Sequence, residues 1–194
     1  MAYQYKHKSK EGVTLKLTRG KLLALLAVIV ISIGAFAITK YYPKDILTVD
    51  YNGVTLGFGE DLKKTLDIPV YPNESAINYL ILTDKVAKVT IAYRNTSIES
   101  TQQVTVNAFE IANKLKLVYL TFGVSPEFDT MSVNSFDDIS SSEFHPYIAI
   151  VTPDIADGNY VKMVGSTVYI NGMTKKDLYI SMEKFIVAAL NITV

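Results

Sequence analysis

The chain has 194 residues, nineteen Lys and Arg balance nineteen Asp and Glu, and there is neither Cys nor Trp. Without cysteine it has no disulfide framework, no thiolate metal site, no iron–sulfur cluster and no thiol nucleophile. The zero net charge hides an uneven distribution: residues 1–21 carry six basic side chains (Lys6, Lys8, Lys10, Lys16, Arg19, Lys21) against Glu11 alone, and the remainder carries thirteen basic and eighteen acidic ones.

Residues 22–39, LLALLAVIVISIGAFAIT, form an uncharged run of eighteen between Lys21 and Lys40. About 18–20 apolar residues rising 1.5 Å each span a hydrocarbon layer of roughly 30 Å, and this run lacks the polar stripe of an amphipathic core helix. It is therefore expected to be a single transmembrane anchor. The basic flank is expected to stay in the cytoplasm as a tail (1–21), with residues 46–194 on the other side of the membrane. Two other fates are open from the residues. Ala35-Phe36-Ala37 fits a small-x-small signal-peptidase site, although signal-peptide cores run to about 7–15 residues. Arg19-Gly20 before the apolar run resembles the leader-peptidase site of type IV pilin-like proteins, which would make the chain a surface-filament subunit. The acid such proteins carry early in the mature chain is missing, with Leu25 and Leu26 in its place.

After the anchor, Tyr41-Tyr42-Pro43 suits an interfacial aromatic pair within a stiff linker, 40–45. Residues 46–58, ILTVDYNGVTLGF, predict a hairpin turning at Asn52-Gly53, because both residues accept positive φ. A short helix is predicted over 60–66, then a loop through Pro69 and Pro72 to Ser75. Residues 89–93 (VTIAY) read as a strand. Ser100 with Gln103 three residues on predicts a capping box opening a helix to about Lys116, with Val104, Ala108, Ile111, Ala112 and Leu115 on one side. Residues 117–122 (LVYLTF) predict a second strand, and 124–143, rich in Ser and acids, a loop. Residues 146–151 (PYIAIV) predict a third strand, apolar throughout and so central. Two more strands are predicted over 160–164 and 167–170. Thr174, with Asp177 at the third position, caps a last helix with Leu178, Met182, Phe185 and Ala189 on one face.

From residue 88 this order is β-α-β, a long connection, then β-β-α. The first helix follows its strand after a short loop, His145-Pro146 opens the third strand, and Asn171-Gly172 precedes the last helix. On these features residues 88–190 resemble the thioredoxin fold. The resemblance implies an α/β domain, to which the hairpin read over 46–58 adds an N-terminal extension, and a partner-binding strand edge beside His145 and Pro146. It does not carry over the chemistry. Where thioredoxin-like oxidoreductases hold Cys-x-x-Cys at the helix start, this chain reads RNTSIEST over 94–101, and serine cannot cycle through a disulfide.

Other constellations are thin. His145 with Ser140, Ser141 or Ser142 and Asp137 or Asp138 supplies the residue types of a hydrolytic triad, but no G-x-S-x-G elbow is present and a polar loop entering a strand explains the same residues. Asp154 to Asn159, DIADGN, lacks the alternating ligands and distal Glu of a calcium loop, and a turn at Asp157-Gly158 accounts for it. Asn73, Asn95 and Asn191 open N-x-[ST] sequons, so they are candidate glycosylation sites in an exported domain. No basic patch follows the anchor and there is no glycine-rich phosphate loop, which leaves nucleic acid without support as a partner. Abundant Ile, Tyr and Lys without Cys or Trp resembles the composition of thermophilic archaeal proteins.

The expectation is a single-pass membrane protein with one extracytoplasmic α/β domain and no catalytic, cofactor or metal residues. Its expected role is a non-catalytic accessory or docking subunit of a larger membrane complex, with lipid and other subunits as partners. A pilin-like filament subunit and a hydrolase using His145 are the alternatives.

Overall fold

The computed structural model of the chain describes residues 47–59 and 62–193; the predicted tail, anchor and linker lie outside them. Among the described residues no helix is long and apolar enough to cross a membrane. The chain folds as a mixed α/β domain. Strands β1 (Leu47–Tyr51) and β2 (Val54–Phe58) form an antiparallel hairpin, followed by a 3-10 turn over Leu62–Asp67. Then come β3 (Val70–Tyr71), α1 (Glu74–Ile81), β4 (Lys88–Tyr93), α2 (Ile98–Thr121), β5 (Glu127–Ser132), a 3-10 turn over Phe136–Asp138, β6 (Tyr147–Val151), β7 (Tyr160–Val164), β8 (Thr167–Asn171) and α3 (Lys175–Leu190).

Six strands make one sheet in the order β3-β7-β8-β6-β4-β5. β5, β4, β6 and β8 run parallel, β7 returns antiparallel to β8, and β3 runs parallel to β7. The register places Ile91 beside Ile148 and Ile148 beside Val168, so alternate residues of neighbouring strands line one face. On that face Val89, Ile91, Ile148, Ile150, Val168 and Ile170 join one core with Ile111 and Leu115 of α2 and Phe185 and Ile186 of α3. Each such fully buried aliphatic side chain contributes about 1.5–3 kcal/mol relative to exposure. The opposite face is covered by the segment before β6: Phe136 packs edge-on against Tyr169, Ser141 bonds Thr167, and His145 meets Thr90 and Tyr147. β6, buried at every position, is the centre that its apolar run predicts.

The predicted hairpin is present, with Asn52 at φ 50° and Gly53 at φ 82°. Thr174 caps α3 as predicted, its hydroxyl accepting from Asp177 N at 3.1 Å. Four expectations need correction. The stretch read as loop to Ser75 contains β3 and the start of α1, where the Asn73 side chain accepts from Ala76 N at 2.9 Å. α2 starts at Ile98, not Ser100, because Ser97 is its cap. The predicted strand over 117–122 is the last part of α2: Leu115, Val118 and Tyr119 keep the 3.6-residue period toward the core, and the Tyr119 hydroxyl donates to Ile81 O. The second strand of the β-α-β unit is β5, inside the predicted loop; most of it is exposed, so it lacks a buried-strand pattern.

The expected strand edge beside His145-Pro146 is also absent. β6 is paired on both sides, by β4 and β8, and the outer strands of the sheet are β3 and β5. The cis proline among the described residues is Pro72 rather than Pro146.

Candidate functional site

The C-terminal ends of β4, β6 and β8 lie on one edge of the sheet, the edge at which open α/β sheets place their ligands. Two turns meet there. After β4 the chain extends to Ser97 (φ −157°, ψ 165°), whose Oγ accepts from Ser100 N at 3.1 Å and starts α2. After β6 the carbonyl of Thr152 accepts from Ile155 N and Ala156 N, both at 3.0 Å, folding a turn that presents Asp154.

The two turns bring together five side-chain oxygens. Ser100, 6% exposed, is the hub: its Oγ lies 2.5 Å from Ser97 Oγ, 2.9 Å from Thr96 Oγ1 and 3.3 Å from Asp154 Oδ2. Burial works against ionisation of Asp154, but the neighbouring hydroxyls of Thr152, Thr96 and Ser100 outweigh it and hold the carboxyl below the usual range. Thr152 Oγ1 is fully buried and meets no partner in full hydrogen-bond geometry, although it lies near enough to help depress Asp154. Glu99 turns away to pair with Lys175 at the start of α3.

The residues singled out from the sequence are dispersed. His145 Nε2 lies 2.8 Å from Oγ1 of Thr90, a residue only 2% exposed, and its ring meets that of Tyr147 at 4.7 Å with the planes tilted by 34°. Burial, then the Lys88 charge, pushes its pKa down. Among the described residues no side-chain hydrogen bond joins it to Ser140, Ser141, Ser142, Asp137 or Asp138. Ser141 bonds Thr167, while Asp137 and Asp138 serve the cap of their own turn at Ser135. The hydrolytic constellation is therefore not assembled. Asp157 accepts from the Tyr160 hydroxyl at 2.6 Å, part of a turn as expected, and helps push that phenol up to about 12, burial being the larger cause. Asn73, Asn95 and Asn191 are all exposed, at helix ends or before α2. Among the described residues no three His, Asp or Glu side chains converge as in an all-protein metal centre.

A second feature is the outer face of α2. Val106 (61% exposed), Phe109 (68%), Leu117 and Leu120 (62%) project into solvent at helical spacing, and Phe122 follows at the helix end. Beside them a groove lies between α2 and the outer strand β5, lined by Ile91, Val104, Ala108 and Phe128, with Phe109 at its rim. The β5 edge itself is guarded. Asp129 Oδ1 accepts from Thr130 N at 2.8 Å, and Glu127 and Asp129 pair with Lys88.

No protein-family model, curated protein or solved structure matches this chain.

Proposed function

We propose that the chain is a membrane-anchored, non-catalytic docking subunit of a larger membrane assembly. Residues 22–39 hold it in the bilayer, and its α/β domain faces away from the cytoplasm. The observation that carries the proposal is the apolar stripe of α2. Val106 and Phe109, and Leu117 and Leu120, are two pairs each three residues apart that share one face over about 21 Å of helix, with the exposed Asn113 between them. Same-face pairs of this kind supply part of the ridge by which one helix receives another. Scattered exposed apolar residues are ordinary, whereas an ordered row of them marks an interaction surface.

The partner favoured here is an amphipathic helix of a neighbouring subunit laid along α2, because the acid-lined β5 edge discourages strand addition beside it. An anchor confining the domain to the membrane plane raises its encounter rate with such a neighbour.

The test is the size of the native particle. Full-length protein, extracted at native expression in mild detergent, should run as an assembly larger than a monomer with its micelle by light scattering. Phe109→Glu combined with Leu120→Glu should release a folded monomer. A wild-type monomer, or an assembly indifferent to both glutamates, would sink the proposal.

A further inference from the structure

We propose, resting on the docking role above, that the helix received by α2 is the α2 of a second copy of this chain, packed antiparallel about a two-fold axis at Asn113. At 3.6 residues per turn the exposed Asn113 stands in the middle of the solvent arc of α2. Val106 and Leu120 lie about 20° to either side of it, and Phe109 and Leu117 about 40° to either side. The spacing along the chain is matched too. Phe109 and Leu117 are each four residues from Asn113, and Val106 and Leu120 are each seven.

An antiparallel copy reverses that order. Val106 then stands level with the partner's Leu120 and Phe109 level with the partner's Leu117, so every apolar residue of the stripe meets an apolar one. A two-fold interface requires this reciprocity, in which residue i meets j and j meets i; a heterologous partner requires nothing of the kind. Asn113 meets its own copy at the axis. Its amide carries both a donor and an acceptor, so the two can bond each other there and hold the register.

Charge selects the direction. Lys116 is exposed and, among the described residues, makes no ion pair. The antiparallel pair brings it level with the partner's Glu110, whose side chain stays 23% exposed beside Lys114, whereas a parallel pair sets Lys116 level with its own copy. The contact is small. Its four apolar side chains offer roughly 400 Å² per copy, and the exposed Gln102, Thr105, Lys116 and Thr121 around them carry a pair toward about 1,200 Å², the lower bound of specific complexes. Association of that size is weak in free solution and gains from holding both copies in one membrane plane.

The chain has no cysteine, so a single introduced thiol is unique. Helix axes about 8–10 Å apart bring facing Cα atoms to about 4–6 Å, within reach of a disulfide. The full-length chain, purified without other subunits in mild detergent, is oxidised with copper phenanthroline. Asn113→Cys should give a covalent dimer, and adding Phe109→Glu should cut its yield at least about ten-fold. Val106→Cys and Leu120→Cys alone, each about 21 Å from its own copy in the antiparallel pair, should link at least about ten-fold less, while a mixture of the two should link readily. Circular dichroism establishes that each variant folds. No link at Asn113→Cys, no gain on mixing, or a ready Val106→Cys dimer would each overturn the proposal. If that happens while the native particle remains larger than a monomer and sensitive to the glutamates, α2 docks on a different protein and the docking role stands. A native monomer overturns both.

Discussion

Twelve of the sixteen residues of α3 are buried, Ser181, Glu183 and Lys184 among them, whereas the longer neighbouring helix α2 leaves Val106, Phe109, Leu117 and Leu120 in solvent. The difference is one of surroundings. α3 is packed by β7 and β8, by α1 and α2, and by the 3-10 turn after the hairpin, so it has no solvent side. Its polar side chains must find partners inside. Lys184 Nζ reaches Glu74 Oε1 at 2.6 Å, and Glu183 Oε1 accepts from Gly59 N at 2.7 Å, tying the hairpin to the helix. Two atoms, Glu183 Oε2 and Ser181 Oγ, remain unpartnered. In α2 it is apolar surface that is left over on the solvent side, although the buried Asn107 Nδ2 on its inner side is also unpartnered.

If that contrast is right, two phenylalanines should behave differently. Phe185 of α3 is fully buried, and Phe185→Ala should cost about 3–5 kcal/mol through lost transfer energy and the cavity left behind. Phe109→Ala on α2 should stay within about 0.5 kcal/mol of wild type in the isolated chain. Thermal unfolding followed by circular dichroism measures both, and comparable losses would break the comparison.

A smaller effect sharpens it. Glu74→Ala strands the Lys184 ammonium, whose side chain is 6% exposed. The expected cost is about 1–3 kcal/mol, held at the lower end because Glu74 itself is partly open to water. Lys184→Met removes the charge but keeps the bulk, and should cost less than stranding the charge does. Denaturant midpoints of the two variants should therefore fall in the order Lys184→Met above Glu74→Ala.

The sequence discloses elements whose cause is local. Asn52-Gly53 has to turn, Thr174 followed by Asp177 has to start a helix, and the continuous apolar run of β6 has to be central. It conceals those whose cause is tertiary. Leu117 to Phe122 has the β-branched and aromatic content of a strand, yet it continues α2 because Val118 and Tyr119 meet the core on the helical period. β5 is polar because it stands at an edge, and α3 looks one-sided because nothing local announces that its second face will also be covered. The oxygen cluster is the least legible part. Asp154 and Ser100 are 54 residues apart, so no spacing motif links them, and the shared signal is only that each sits in a polar turn after a strand. Ser100 is read from sequence as a cap, and its buried hydroxyl has meaning only once Ser97 takes that role.

The smallest expected effect concerns Glu183. Burial raises its carboxyl above the ordinary value of 4.5, offset in part by the Gly59 amide and the Lys114 charge. Between the ordinary value and the raised one, the folded chain holds a proton that the unfolded chain has released. Stability from this group is therefore complete below about pH 4.5 and is lost as pH rises through the folded value. Glu183→Gln keeps an oxygen for Gly59 N–H and cannot ionise. It should match wild type near pH 4 and become relatively more stable as pH increases. Subtracting the two denaturation profiles removes the contributions of Asp154 and Asp129, whose carboxyls are shifted down and act with the opposite sign. A difference that stays constant with pH would mean that the carboxylate is hydrated, and that the closed surroundings of α3 admit water at this point.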